Sequence, residues 1–72
     1  MPFDRITFDP AIMGGRACIR GMRIPVSVIA SQVAHGASVE EILEDYPDLE
    51  EEDIRQALQY AAWLVQAERP TP

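Results

Sequence analysis

Arg16, Arg20 and Arg23 are spaced four and three residues apart in the stretch MGGRACIRGMRIPV, which runs from Met13 to Val26 and holds three of the chain's four glycines. Guanidinium groups beside glycine turns suit anions: a phosphate loop, a nucleic-acid backbone, or the carboxylates of another protein. A phosphate loop is disfavoured by the sequence, since it has neither the lysine-serine/threonine ending of a P-loop nor a GxGxxG pattern opening a helix. The three arginines are expected to pair first with acids of this chain or of a second copy, next with a protein partner, and last with DNA phosphates.

The remaining reactive side chains do not assemble a catalytic set. Nine carboxylates fall between Glu40 and Asp53 with no base among them, spaced as solvated helix faces and first-turn residues. Nothing local raises a carboxyl pKa or pairs a base with a nucleophile. His35 falls at the carboxyl end of a helix, where positive charge is favourable, with no cysteine or carboxylate arranged beside it as a catalytic pair. Cys18 is the single cysteine, so it has no disulfide or metal-site companion and reads as a small buried residue on a strand. The chain is expected to be no enzyme and to use no cofactor or metal.

Charge is divided along the chain. Residues 1–25 sum to +2 and residues 26–72 to −8, so a phosphate backbone would meet repulsion along the second part. At 72 residues with 47% hydrophobic residues, one domain with a small core is expected. No apolar run is long enough to span a bilayer, and MPFDRITFD lacks the basic start and apolar centre of a signal peptide, so a cytoplasmic location without membrane contact is expected.

Short strands and three helices must position these groups. Arg5-Ile6-Thr7-Phe8 alternates with period two, placing Ile6 and Phe8 on one face, and Ala17-Cys18-Ile19-Arg20 forms a second extended piece bounded by glycines. Such fragments are too small to stand alone, so they must lie against helices or pair with strands of another copy. Pro25 suits the first turn of a helix over about 26–35, stopped by a left-handed Gly36. Ser38 and Glu41 have capping-box spacing for a short helix over 39–45, closed by Tyr46-Pro47, with Val39, Ile42 and Leu43 pointing inward.

The third helix covers 51–68, with acids in its first turn. Its stripe of Ile54, Ala57, Leu58, Ala61, Leu64 and Val65 is expected to complete the core. Tyr60 and Trp63, with Ala67, form a second stripe that either caps the core and strands or serves a dimer or partner interface. Residues 69–72 read as a frayed tail. A short middle helix after Gly36 fits a helix-turn-helix, but its reading helix would begin Glu50-Glu51-Glu52-Asp53, leaving Arg55, Gln56 and Gln59 as the nearby base-edge donors.

The ordered set Asp9-Pro10, Gly14-Gly15-Arg16, Ile19-Arg20-Gly21, Arg23-Ile24-Pro25-Val26, Gly36, Ser38, Glu41-Ile42-Leu43, Asp45-Tyr46-Pro47-Asp48-Leu49 and Asp53-Ile54 resembles the small bacterial and archaeal DUF433 family over roughly residues 5–65. Met22 and Glu51 stand where that family often has threonine and proline. The resemblance implies a mainly α, homeodomain-like three-helix domain preceded by short β-strands. It also implies a role similar to VapB-type antitoxins, in which the protein binds and inhibits a PIN-like ribonuclease toxin. The alternative is a helix-turn-helix DNA-binding repressor or autoregulator, with DNA engaged mainly by a toxin complex. The family implies no catalytic residues. Arg16, Arg20, Arg23, Tyr60 and Trp63 are the candidate contacts for a partner or nucleic acid, and a homodimer is expected from the small core, the strand fragments and the extra aromatic stripe.

Overall fold

Alternation of Ile6 with polar neighbours and the apolar pair Cys18-Ile19 produce two short strands, β1 (Ile6–Thr7) and β2 (Cys18–Ile19), in the computed structural model, which describes residues 3–67. They pair antiparallel with each other, Ile6 opposite Ile19 and Thr7 opposite Cys18, so each satisfies the other's backbone within one chain. β2 is also flanked on its other side, where Ile19 N–H donates to the Ile24 carbonyl at 3.0 Å and Val26 N–H to the Ala17 carbonyl at 2.9 Å. The return between them is tight. Arg20 and Gly21 both have positive φ, +45° and +71°, and Met22 N–H closes the turn on Ile19 at 2.8 Å. Consecutive left-handed residues match the twist of a hairpin, and glycine takes the second position without a steric cost.

Three helices follow: α1 (Val26–Ala34), α2 (Val39–Asp45) and α3 (Glu51–Ala67). Pro25 is the cap before α1, with ψ 146°, and not a residue of its first turn. It is held extended because it still bridges to Cys18 in the miniature sheet. At the other end His35 is the cap residue and Gly36 takes φ +95°. Gly36 N–H then bonds the Val33 carbonyl and Ala37 N–H the Gln32 carbonyl, at 3.0 and 2.9 Å. This is the Schellman arrangement, and it satisfies carbonyls that the helix end leaves free. One residue later the capping box forms, with Glu41 N–H donating to Ser38 Oγ at 3.1 Å and Ser38 N–H to Glu41 Oε1 at 2.8 Å.

Ile6, Ile19, Val26, Ile29, Ile42, Leu49, Ile54 and Ala57 make the core, drawn from every one of these elements. Four of its isoleucines, Ile19, Ile29, Ile42 and Ile54, are fully buried, each worth about 1.5–3 kcal/mol relative to exposure. α1 packs most extensively on α3, and Leu49 plugs the turn between α2 and α3. Two short antiparallel strands preceding three helices make a mainly helical, helix-turn-helix-like domain.

The third helix departs from the periodic expectation. Ala57 is the last fully buried residue over Glu51–Gln66, Leu58 and Ala61 are half-buried, and Leu64 and Val65 are exposed. The apolar period continues, but α1 is only nine residues long and the core ends before α3 does. Phe8 likewise does not share the buried face of Ile6 and is 55% exposed, because β1 stops at Thr7. Residue 68, assigned to the third helix from sequence, and the tail 69–72 lie outside the described residues.

Candidate functional site

Asp53 occupies the first turn of α3 and is wholly buried, the one buried charged residue among those described. Its neighbours explain how a carboxylate survives there. Arg20 donates from Nε to Oδ1 at 3.0 Å and from Nη2 to Oδ2 at 2.8 Å, a side-on pair of parallel bonds. Arg5 adds a bond from Nη1 to Oδ1 at 2.9 Å, and the Glu50 backbone N–H donates to Oδ2 at 2.8 Å. Each carboxylate oxygen thus accepts two bonds, a full set for an ionised carboxylate. Burial alone would push the Asp53 carboxyl up; the Arg20 bonds, the Glu50 N–H and Arg5 outweigh it and hold it below the usual carboxylate range. Both guanidiniums are shifted up in turn, Arg5 chiefly by Glu50 and Asp53 and Arg20 chiefly by Asp53.

The strands aim these arginines. Arg20 N–H donates to the Arg5 carbonyl at 2.8 Å, and Thr7 Oγ1 accepts from Gly21 N–H at 2.8 Å, fixing the left-handed turn so that the Arg20 side chain reaches α3. Its Nη2 also donates to the Asp48 carbonyl at 2.8 Å. Arg5 bonds Glu50 at 2.6 Å, and its backbone N–H donates to Gln56 Oε1 at 3.0 Å while Gln56 Nε2 donates to Asp4 at 2.7 Å. The result is a clamp that ties β1, the β2 turn and the α2–α3 connection to the head of α3.

Of the residues singled out in sequence, Arg20 is therefore bonded to Asp53, with its side chain still 38% exposed. Arg16 and Arg23 are exposed and make no ion pair among the described residues. Tyr60 is half-buried: its ring meets Phe3 and Phe8 edge-on, at centroid distances of 5.4 and 5.9 Å. Trp63 lies 6.0 Å from Phe3 and 6.1 Å from Tyr60 and remains 45% exposed. The aromatic stripe thus covers the amino-terminal arm and still presents Trp63 outward. Beside it, an open groove of about 550 Å³ runs between α1 and α3.

Sequence reasoning did not single out Arg5, Asp53, Phe3 or Phe8 as members of a cluster. Asp53 carried a readable signal: it precedes Ala57 and Ala61 by one and two helical turns, so it lies on the apolar stripe and not on the solvated face. The Phe3 and Phe8 contacts had none, because they depend on how the amino-terminal arm crosses α3.

The acids divide sharply. Seven of the nine carboxylates from Glu40 to Asp53 are exposed, on α2, the connection after it and the head of α3. Only Glu50, Glu52 and Asp53 have ion-pair partners among the described residues, Glu52 with Arg55 one turn on. The exposed acids of α2 and the head of α3 form a negative face, on which Arg55 is the one exposed cation of α3. His35 Nδ1 sits 2.7 Å from the Ser31 carbonyl, a bond back onto its own helix. Among the described residues no group of three or more histidine, cysteine or acidic side chains is arranged to hold a metal ion, and no helix is long and apolar enough to cross a membrane.

Comparison with known proteins aligns with this architecture. A family model described as "Protein of unknown function (DUF433)" matches residues 6–61. The crystal structure of a DUF433 member protein from Anabaena variabilis is similar with a TM-score of 0.78 and 37% identity, over 83% of this chain and 59% of that one. "Uncharacterized protein y4eO" of Sinorhizobium fredii is 48% identical over 56 residues, 78% of this chain. The chain spans 25% of the length of that relative.

Proposed function

The chain belongs to the DUF433 family, and on that premise we propose that it is the antitoxin of a type II toxin–antitoxin pair. It is a non-enzymatic cytoplasmic protein that binds a PIN-like ribonuclease and blocks the surface on which that enzyme takes RNA. The observation that carries this reading is the acidic face on α2 and the head of α3. A helix-turn-helix uses that position to approach DNA, yet here it is lined by exposed Glu44, Asp45, Asp48 and Glu51, while the neighbouring cations are already committed to acids of this chain, Arg5 and Arg20 to Asp53 and Arg55 to Glu52. Phosphates are repelled by such a surface. A ribonuclease surface that binds RNA is basic for the same reason that this one is not, so the two are complementary, and encounter is steered by charge. Exposed Arg23 is available to a carboxylate of the same partner.

Co-expression with a PIN-like ribonuclease encoded beside this chain tests the reading. Co-purification of the pair and relief of growth arrest are expected. The double substitution Glu44→Lys/Glu51→Lys, both at exposed positions, should weaken the complex at least tenfold without unfolding the domain. Arg20→Glu is uninformative here, because it breaks the clamp on Asp53. Wild-type protein that neither co-purifies nor relieves arrest contradicts the antitoxin reading. Tight, sequence-selective binding of the isolated protein to its own promoter at physiological salt would replace it with a DNA-binding autoregulator.

A further inference from the structure

We infer that the cleft where the end of α1 meets α2 is a guanidinium pocket, which seats an arginine side chain of a basic protein partner. Gln32, His35, Gly36, Ala37, Glu41 and Asp45 line a cavity of about 330 Å³. Ligand sites span about 300–1,000 Å³, so this one suits a side chain and not a helix or a strand. Its polar groups offer acceptors. Glu41 and Asp45 are one helical turn apart and share a side of α2, and no lysine or arginine stands among the lining residues to neutralise them. Gln32 Nε2 donates to Tyr46 Oη at 3.3 Å, which leaves the amide its oxygen as the uncommitted end. His35 Nδ1 lies 2.7 Å from the Ser31 carbonyl. A carbonyl only accepts, so the proton of the neutral ring is on Nδ1 and Nε2 keeps its lone pair.

Local stability does not explain the negative charge gathered here. α1 brings its carboxyl-terminal, partially negative end to the cleft at His35 and Gly36, and no basic residue stands in its last turn. Asp45 is the last residue of α2, where the helix dipole disfavours an acid, and α2 also lacks a basic residue in its last turn. Asp45 is exposed and makes no ion pair among the described residues. Charge complementarity selects a cation as the occupant, and shape selects among cations. A guanidinium presents five N–H donors in a planar fork, enough for two carboxylates and the neutral acceptors beside them, whereas an ammonium is a compact point charge with three. A metal ion is the poorer match, since no group of three or more histidine, cysteine or acidic side chains among the described residues is arranged to hold one. That the guanidinium belongs to a protein rests on the proposal that the acidic face meets a basic enzyme surface, to which the pocket adds one anchoring point.

Amide NMR spectra of the full chain, titrated with N-acetyl-argininamide, test the pocket with no ribonuclease present. Saturable shifts are expected at the backbone N–H groups of Gly36, Ala37 and Glu41. The uncharged analogue N-acetyl-citrullinamide should give none, and N-acetyl-lysinamide should bind at least threefold more weakly. Asp45→Asn should weaken binding of the arginine probe at least fivefold with an unchanged helical circular dichroism spectrum, its side chain being exposed. Glu40→Gln, on the same helix but outside the pocket, removes the same charge and should change binding less than twofold. Shifts spread evenly over the exposed acids, equal weakening by the two variants, or a lysine or citrulline probe that binds as well as the arginine one overturns the inference. The antitoxin reading stands or falls separately. A chain that fails to relieve growth arrest yet binds the probe as described keeps its guanidinium pocket and loses the ribonuclease as partner, whereas a chain that relieves arrest with a pocket indifferent to the probe overturns this inference alone.

Discussion

Two guanidiniums and one backbone N–H converge on the carboxylate of Asp53, and the consequence is measurable as stability. Removing one partner of a buried charged set leaves the others unsatisfied, which costs more than the set contributes as a whole. Because Arg5 and Arg20 keep access to solvent, Asp53→Asn should cost about 2–3 kcal/mol, below the range for a fully enclosed pair. For a domain of this size that is a large part of a total of roughly 4–11 kcal/mol. The pH dependence has a definite sign. Asp53 has a folded pKa depressed below its unfolded value of about 3.9. Its contribution is therefore complete above pH ~4 and is lost as pH falls through the folded value. Glu41, lowered chiefly by the Ser38 backbone N–H, acts in the same direction. Urea midpoints followed from pH 7 down to acid should fall for the wild type and fall less for Asp53→Asn; parallel curves would contradict the clamp. Sequence made Arg20 legible as an anion-binding residue with an acid of its own chain among the expected partners. Which acid it meets depends on a left-handed turn and on a sequence separation of 33 positions, and pattern reading does not reach that far.

Helix ends were the most legible elements because their chemistry is local. Ser38 and Glu41 meet within one turn of chain, and Gly36 supplies the conformation that ends α1. Ser38→Ala should cost about 1 kcal/mol. Gly36→Ala should cost about 1–2 kcal/mol, since φ +95° is strained for a residue with a Cβ and nothing nearby compensates. Thermal melts of the two variants check both, and a neutral Gly36→Ala would contradict the Schellman geometry. The far end of α3 was not legible in the same way. Leu64 and Val65 keep the helical apolar period, but period reports which face is apolar and not where the opposing helix stops. The strands were legible in place but not in pairing, for a related reason: β1 and β2 are each too short to signal a partner, and their pairing with each other is stabilised by a turn at Arg20-Gly21 and by helices that pack later in the chain.

On the scale of the whole molecule, charge and apolar surface lie at different ends. The acids cover α2 and the head of α3, and the exposed aromatic and aliphatic side chains gather at the other end of α3. The division into a basic first part and an acidic second part was plain in composition, but its surface meaning was not, because Arg5 and Arg20 are drawn out of the basic segment to neutralise Asp53. On the proposed reading, what remains is a helix-turn-helix-like scaffold whose acidic face suits a cationic enzyme surface better than DNA. Titration of purified chain into a PIN-like ribonuclease, with cleavage of a fluorescent RNA as the readout, tests this most directly. Inhibition complete at an integral ratio of chains to enzyme is expected, weakening as salt is raised and weakened at least tenfold by Glu44→Lys/Glu51→Lys. Undiminished cleavage at excess wild-type chain, or inhibition unaffected by both salt and charge reversal, would contradict the account.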